Sequence, residues 1–188
     1  MGLFDRLFGG RFTQPPPDEP RMSDAAIMRE LYPLRAQLKV FTQVLLARLS
    51  EKERMRLVRR VLRYYNQGED PATALVSGLL DAEKGQSLSH LILMAVDVRG
   101  FDDFEYLAPK LVEASGIDQV YACKHEGTQS LMQVLIDFDR WLIGFGKRFL
   151  HVDTGGADYV GCIIEHDGVE NLIALAKEAG INARLDPF

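Results

Sequence analysis

The sequence predicts an α/β fold in which an N-terminal segment of three helices precedes a sandwich of helices on a mixed sheet. Before residue 88, apolar residues recur at spacings of three and four, as they do along one face of a helix. Beyond it, short continuous apolar runs of the kind found in buried strands alternate with helical patterns. We expect the order β-α-β-α-β-β-α-β, and a mixed sheet because two strands are joined directly as a hairpin.

The length of 188 residues and the hydrophobic fraction of 47% suit one such domain with an added helical segment. We divide the chain into a flexible tail or linker at 1–22, a helical segment at 23–87 that packs on the domain, and the α/β domain at 88–188. Two cysteines are too few for a disulfide scaffold and favour a reducing compartment. Because no stretch has the pattern of a signal peptide or a membrane span, we expect a cytoplasmic protein that does not bind membranes.

An apolar seam and two start signals define the helical segment. The seam comprises Leu31, Leu34, Leu38, Phe41 and Leu45. It predicts a helix after Ser23 that Pro33 either kinks or restarts. Such a seam usually packs within an antiparallel helix pair, and a homodimer through the helix at residues 31–45 is the alternative. Ser50 with Glu53 forms a capping box for the second helix, and Asp70-Pro71 begins the third.

The α/β domain is predicted from five apolar runs and three helical patterns. The strands are expected at residues 91–96, 119–123, 149–152, 159–164 and 182–185. Capping boxes at residues 102–105 and 167–170 begin two of the helices, and Thr128 caps the third. A polar turn at residues 153–159 joins the third and fourth strands as a hairpin.

Polar side chains gather where the predicted strands end. In open α/β sheets, ligands bind beyond the carboxyl ends of strands, and Asp97 and Asp153 occupy such positions. The hairpin turn brings Asp158 and Tyr159 near Asp153. Arg99, two residues after Asp97, joins the same group. The candidate binding rim consists of Asp97, Arg99, Asp153, Thr154, Asp158 and Tyr159. Alternatively, Asp153 and Asp158 are ordinary turn residues whose side chains bind nearby backbone amides.

Close carboxylates also suit catalysis, since they can bind a hard cation or share a proton. A small metal-dependent or acid/base hydrolase that uses Asp97, Asp153 and Asp158 is therefore the alternative to a binding protein. Two cysteines and two histidines are candidate zinc ligands: Cys123, His125, Cys162 and His166. They lack the Cys-x-x-Cys spacing of a zinc knuckle, and we expect neither a metal nor a cofactor.

Charge is distributed unevenly along the chain. Residues 1–66 carry 13 Lys and Arg against 7 Asp and Glu, whereas residues 67–188 carry 9 against 20. A basic stripe on the second helix consists of Lys52, Arg56, Arg59 and Arg63, with Arg60 beside it. Guanidinium groups suit phosphates, but the net charge of -5 disfavours nucleic acid as a partner. The acidic second half suits a basic protein partner instead.

Two segments of the sequence carry a resemblance to a known family. The first is Met94-Ala95-Val96-Asp97 with residues 104–107 and 109–111, and the second is residues 150–161 with residues 172–180. Over about residues 88–180 they resemble domain of unknown function 6630, a bacterial family, which implies no established activity. The turn at residues 153–159 also resembles turns of bacterial toxin-immunity domains, which act by binding a protein. We therefore expect a non-catalytic protein-interaction domain.

Overall fold

Pro33 ends the first of two units into which the chain divides, residues 1–33 and residues 34–188. The structure is a computed structural model that describes residues 23, 27, 30–123 and 129–188. In the first unit Ile27 donates a backbone hydrogen bond of 3.0 Å to the carbonyl of Ser23. The tail predicted at 1–22 lies outside the described residues. The three predicted helices and the sheet belong to the second unit, which is the subject below.

In the second unit three helices precede the sheet, as predicted. They are α1 at Arg35–Leu45, α2 at Glu51–Tyr65 and α3 at Pro71–Leu80. Helix α1 begins two residues after Pro33, so the proline separates it from the helical residues 30 and 31. The backbone amide of Glu53 donates to the Ser50 hydroxyl at 3.4 Å, which confirms the first cap. The amide of Ala72 donates to the Asp70 carboxylate at 3.0 Å, which confirms the second.

Four strands form one sheet in the order β1–β3–β2–β4. They are β1 at Leu93–Asp97, β2 at Lys147–Asp153, β3 at Asp158–Glu165 and β4 at Asn182–Arg184. Strands β2 and β3 form the predicted hairpin, and β4 is the predicted last strand at the sheet edge. The α/β class is confirmed. The expected mixed sheet is wrong, because all three strand pairs are antiparallel.

The segment at residues 119–123, predicted to be a strand, pairs with no strand in the described part of the chain. It fills a gap in the core instead. The Tyr121 ring lies 4.7 Å from the Phe138 ring and is buried, whereas Val120 is 81% exposed. In this segment the packing of one aromatic ring replaces strand pairing. The crossover connection between parallel strands that would have made the sheet mixed therefore does not form.

Three more helices follow β1 in the described residues: α4 at Phe101–Ala114, α5 at Leu131–Ile143 and α6 at Val169–Glu178. Both capping boxes predicted here are wrong, since α4 follows Gly100 and α6 follows Gly168, neither with a side-chain cap. For α5 the cap is Ser130, which accepts from the Gln133 amide at 3.3 Å, and Thr128 lies outside the described residues. Across the described residues, no helix combines the length and apolarity that a membrane crossing requires.

The sheet lies between two helical layers. On one face, α4 contacts β1 and α5 contacts β2. The core on this face includes Phe104, Phe138 and Phe149, and the last two rings lie 5.4 Å apart. On the other face, α3 contacts β1 and α6 contacts both β4 and α1. Three residues of the apolar seam, Leu38, Phe41 and Leu45, are buried within this layer, so the seam packs largely inside the chain itself.

Side-chain groups pair backbone groups beside the outer edge of β1 and in the part of β2 that β4 does not cover. The Gln86 amide oxygen accepts from the backbone amides of Ile92 and Leu93 at 2.8 and 3.1 Å, and its nitrogen donates to the Leu93 carbonyl. On β2, Asp139 accepts from the Phe149 amide at 2.6 Å. In both places a side chain takes the place of a neighbouring strand, which satisfies backbone groups that would otherwise be unpaired.

Candidate functional site

The predicted acidic residues meet at one edge of the sheet because three strand ends lie there. Asp153 ends β2 and Asp158 begins β3, so the turn between them separates the two carboxylates by only four residues. The register of β1 on β3 places Asp97 directly opposite Asp158. The sequence prediction that these strand ends form one polar rim therefore agrees with the geometry of the sheet.

Two of the three aspartates stabilise their own turns. Asp97 accepts a hydrogen bond of 2.8 Å from the amide of Arg99, and Asp153 accepts one of 2.8 Å from the amide of Gly155. The second oxygen of Asp153 accepts from the Asn182 amide group at 3.1 Å, which ties the turn to β4. These are the local contacts that favour Asp in turns. Asp158 differs, because it is exposed and makes no hydrogen bond or ion pair to any described residue.

A cleft of about 120 Å³ opens beside this turn. Its floor is formed by His151 with the neighbouring apolar residues of β2 and β3, and one wall is the turn at residues 153–159. Val98, which is 42% exposed, stands on the rim. Of the six predicted rim residues, the cleft is lined by Asp153, Thr154, Asp158 and Tyr159. The remaining two do not line it: Asp97 ends β1, and Arg99 lies in the loop that follows.

The opposite wall is Phe188, which an arginine of β4 holds in place. The Arg184 guanidinium carbon lies 3.8 Å from the centroid of the Phe188 ring. The same side chain donates to the carbonyls of Asp186 and Pro187 at 3.0 and 2.9 Å. The cation therefore fixes both the ring and the backbone that leads to it. Nothing in the sequence pattern predicted this wall.

His151 is the least expected residue of the site. Only 1% of it is exposed, and its ring packs edge-on against Phe149 with centroids 4.8 Å apart. Its Nε2 is buried and has no hydrogen-bond partner in the described part of the chain. Burial lowers the pKa of His151 to about 4, so the imidazole is neutral at neutral pH. The residue lies at the floor of the cleft, but its Nε2 is buried.

Room for the His151 and Phe149 rings depends on Gly161, which lies opposite His151 on β3. A Cβ built on Gly161 would lie 2.4 Å from a ring carbon of Phe149 and 2.8 Å from the carbonyl oxygen of Leu150. Any side chain there would therefore clash with the ring that supports His151. The glycine is a packing requirement of the site.

The geometry offers few of the free carboxylates and metal-binding groups that the hydrolase alternative requires. In the described residues no group of three or more His, Cys, Asp or Glu side chains is placed to hold a metal ion. Asp97 and Asp153 already accept backbone hydrogen bonds. Of the four zinc candidates, Cys162 is completely buried, which raises its pKa to about 12, and His125 lies outside the described residues.

Arg56 of the basic stripe on α2, and Arg60 beside it, are engaged in internal contacts. Arg56 donates to the carbonyls of Lys84 and Gly85, the latter at 2.7 Å, and pairs with Glu53 at 2.6 Å. Arg60 pairs with Asp81 at 2.8 Å. These two guanidinium groups hold the segment after α3 against α2, which leaves fewer free cations for a phosphate backbone than the sequence suggested.

Comparisons with known proteins add no functional information. The chain matches no family model, and neither a curated protein nor a solved structure matches it at a significant level. The resemblance to domain of unknown function 6630 stays a prediction. The function must therefore be argued from the residues of the cleft and its rim.

Proposed function

We propose that this chain is a non-catalytic, cytoplasmic protein-interaction domain that binds its partner at the hairpin rim. The hairpin rim is defined as Val98, Thr154, Asp158 and Tyr159 together with the cleft that they border. The observation that carries the proposal is the cleft itself, which is lined by His151 and by the exposed residue Asp158. Nε2 of His151 has no hydrogen-bond partner within the described residues, and neither does the Asp158 carboxylate.

The chemistry of the rim favours a basic protein over other ligands. Carboxylates are the only side chains of the cleft that are charged at neutral pH, because no Lys or Arg lines it. Residues 67–188, which supply the rim, carry 20 acidic against 9 basic side chains. Such a surface attracts a basic partner and repels an acidic one. The exposed side chain of Val98 adds apolar area to the contact.

Affinity capture from a bacterial lysate tests the proposal with three baits: the wild type, Asp158→Lys and Glu113→Lys. Asp158→Lys reverses the charge of the rim. Glu113→Lys makes the same charge change near the far end of α4, about 20 Å along a helix of 14 residues. We expect one or more proteins to be retained by the wild type and Glu113→Lys and to be lost from Asp158→Lys. Identical retention by all three baits would refute the assignment of the contact surface to the rim.

The hydrolase alternative makes an opposite prediction for Asp153. If Asp153 were catalytic, Asp153→Ala would abolish a measurable turnover while the protein stayed folded. On the binding proposal, the same change alters the turn through the lost hydrogen bonds to Gly155 and Asn182, and no substrate is turned over. Circular dichroism confirms that the variant folds, and a panel of phosphate, ester and glycoside substrates distinguishes the two functions.

A further inference from the structure

The outer edge of β1 carries backbone groups that no strand engages. Strand β1 comes first in the sheet order, and its neighbour in the sheet is β3. In an antiparallel pair, successive residues direct their backbone N–H and C=O groups alternately toward the partner strand and away from it. Both backbone groups of Leu93 bond to the Gln86 side chain and therefore face outward. The alternation directs the backbone groups of Ala95 and Asp97 outward as well.

Three of these outward groups have no hydrogen-bond partner among the described residues: the N–H and C=O of Ala95 and the N–H of Asp97. The C=O of Asp97 is engaged, since it accepts from the Gly100 amide at 2.7 Å. Ala95 is partly exposed and Asp97 is exposed, so another chain can reach this stretch of the edge. An unpaired stretch of strand is a template for an extended chain, whose backbone repeats the matching donors and acceptors at the same spacing.

A groove of about 350 Å³ adjoins this stretch of the edge, and Ala95 lines it. Its walls include Leu80 at the end of α3 and Leu107 of α4, two helices on opposite faces of the sheet. Leu88, which is 46% exposed, adds apolar surface. The side chains of an extended segment alternate between the two faces of a sheet. A strand added to β1 would therefore direct one side chain toward Leu80 and the next toward Leu107.

The charge of Asp97 indicates what kind of segment fits. Its carboxylate accepts from the Arg99 amide at 2.8 Å but pairs with no cation in the described part of the chain. Side chains directly opposite each other on antiparallel strands lie about 5 Å apart on the same face, so a Lys or Arg opposite Asp97 would pair with it. A second copy of this chain supplies no such cation, because β1 paired with itself about Ala95 would place Leu93 opposite Asp97. The Gln86 side chain also covers Leu93 already.

We propose that the outer edge of β1 binds an extended, basic segment of a partner protein, which joins the four-stranded sheet as a fifth strand. The segment runs antiparallel to β1, and its residue opposite Ala95 exchanges two hydrogen bonds with it. The residue opposite Asp97 is basic and accepts the third. The residue opposite Ala95 and the one after it are apolar and lie between Leu80 and Leu107. Pairing ends at Gln86. This surface lies outside the hairpin rim, and the inference does not depend on the proposed function.

Nuclear magnetic resonance of ¹⁵N-labelled protein tests the inference with the peptide acetyl-Thr-Lys-Thr-Val-Leu-Thr-amide. In the proposed register its Val lies opposite Ala95 and its Lys opposite Asp97. We expect the amide resonances of Ala95 and Asp97 to shift and saturate, and their hydrogen exchange to slow, because both become donors to the peptide. N-methylation of the Val should weaken binding about tenfold, since it removes one hydrogen bond and crowds another. N-methylation of the preceding Thr, whose N–H points away from β1, is the matched control and should leave the affinity unchanged.

Asp97→Asn tests the charge while keeping an oxygen that accepts from the Arg99 amide. It should weaken binding about two- to fivefold and abolish the preference for the Lys peptide over the same peptide with Gln. Glu170→Gln, on the helix that packs against β4 at the opposite edge of the sheet, should bind like the wild type. Equal affinity for the two N-methylated peptides would overturn the inference, as would the absence of any response at Ala95. A dimer in sedimentation velocity whose Ala95 amide is protected from exchange would assign the edge to a second copy instead.

Discussion

Acidification should destabilise this protein through one side chain, the imidazole of His151. Only 1% of His151 is exposed, and its Nε2 has no hydrogen-bond partner among the described residues. A proton added to this ring would place a charge in an apolar environment. Burial therefore lowers the pKa of His151 from 6.5 to about 4 in the folded protein, whereas in the unfolded chain the imidazole keeps its ordinary value.

The sign and size of the effect follow from proton binding. Between pH 6.5 and pH 4 the unfolded chain holds a proton on His151 that the folded protein does not hold, so the free energy of unfolding rises with pH. The contribution of His151 is complete above pH 6.5 and is lost as the pH falls toward 4. Relative to pH 7, the loss amounts to about 2 kcal/mol at pH 5 and about 3 kcal/mol at pH 4.

Urea unfolding of the wild type and of His151→Phe, measured from pH 7.5 to pH 4, isolates this contribution. Other titrating groups act in both proteins and largely cancel in the difference between their free energies of unfolding. We expect that difference to change by about 3 kcal/mol in favour of the variant as the pH falls from 7 to 4. A difference that stays constant with pH would refute the argument that His151 is buried without a partner.

Three further predictions concern the contacts that hold the strands of the site. Asp139→Asn should destabilise the fold by about 2 to 4 kcal/mol, because it leaves the guanidinium of Arg148, paired at 2.8 Å, half-buried without a carboxylate. Gln86→Ala should cost about 2 to 3 kcal/mol, since three hydrogen bonds to the edge of β1 are lost, and should promote self-association through the opened edge. Gly161→Ala should cost about 1 to 3 kcal/mol, because its Cβ would lie 2.4 Å from the Phe149 ring. Urea titration measures all three free energies, and analytical ultracentrifugation measures the self-association.

Matched controls separate these effects from nonspecific ones. Gly144→Ala is the control for Gly161→Ala, since a Cβ at Gly144 would meet only the carbonyl of Trp141, at 3.4 Å. Gln67→Ala, at the end of α2, is the control for Gln86→Ala. Equal stability of each variant and its control would contradict the stated mechanism, as would wild-type stability of Asp139→Asn.

The local features of the fold could be predicted because they depend on residues close together in the sequence. The caps at Ser50 and Asp70 have the predicted hydrogen bonds, and the turn at residues 153–159 joins two antiparallel strands. Four of the six predicted rim residues line the cleft because they belong to that turn. The wrong capping box before α4 shows what such patterns miss, since the helix follows Gly100, two residues before the cap that the pattern indicated.

The buried part of the site could not be predicted in the same way. His151 occupies an ordinary strand position, and its burial depends on helix α5, strand β4 and Phe188, which lie far apart in the sequence. The inward alternation with Phe149 was a usable signal, because a polar residue on the core side of a strand needs either a partner or a function. Phe188 gave no signal, since the contact with Arg184 that positions it is set by the three-dimensional arrangement.

The sequence alone determined the α/β class, most helix and strand positions and the polar turn, because periodicity, caps and turns act over a few neighbouring residues. Only the tertiary structure decided the sheet order, the antiparallel pairing throughout and the replacement of a predicted strand by the packed ring of Tyr121. It also decided which carboxylate of the turn is left unpaired and which imidazole nitrogen is buried without a partner. These outcomes depend on which distant segments of the chain bury one another. Tertiary packing decides this, because local sequence patterns act only between neighbouring residues.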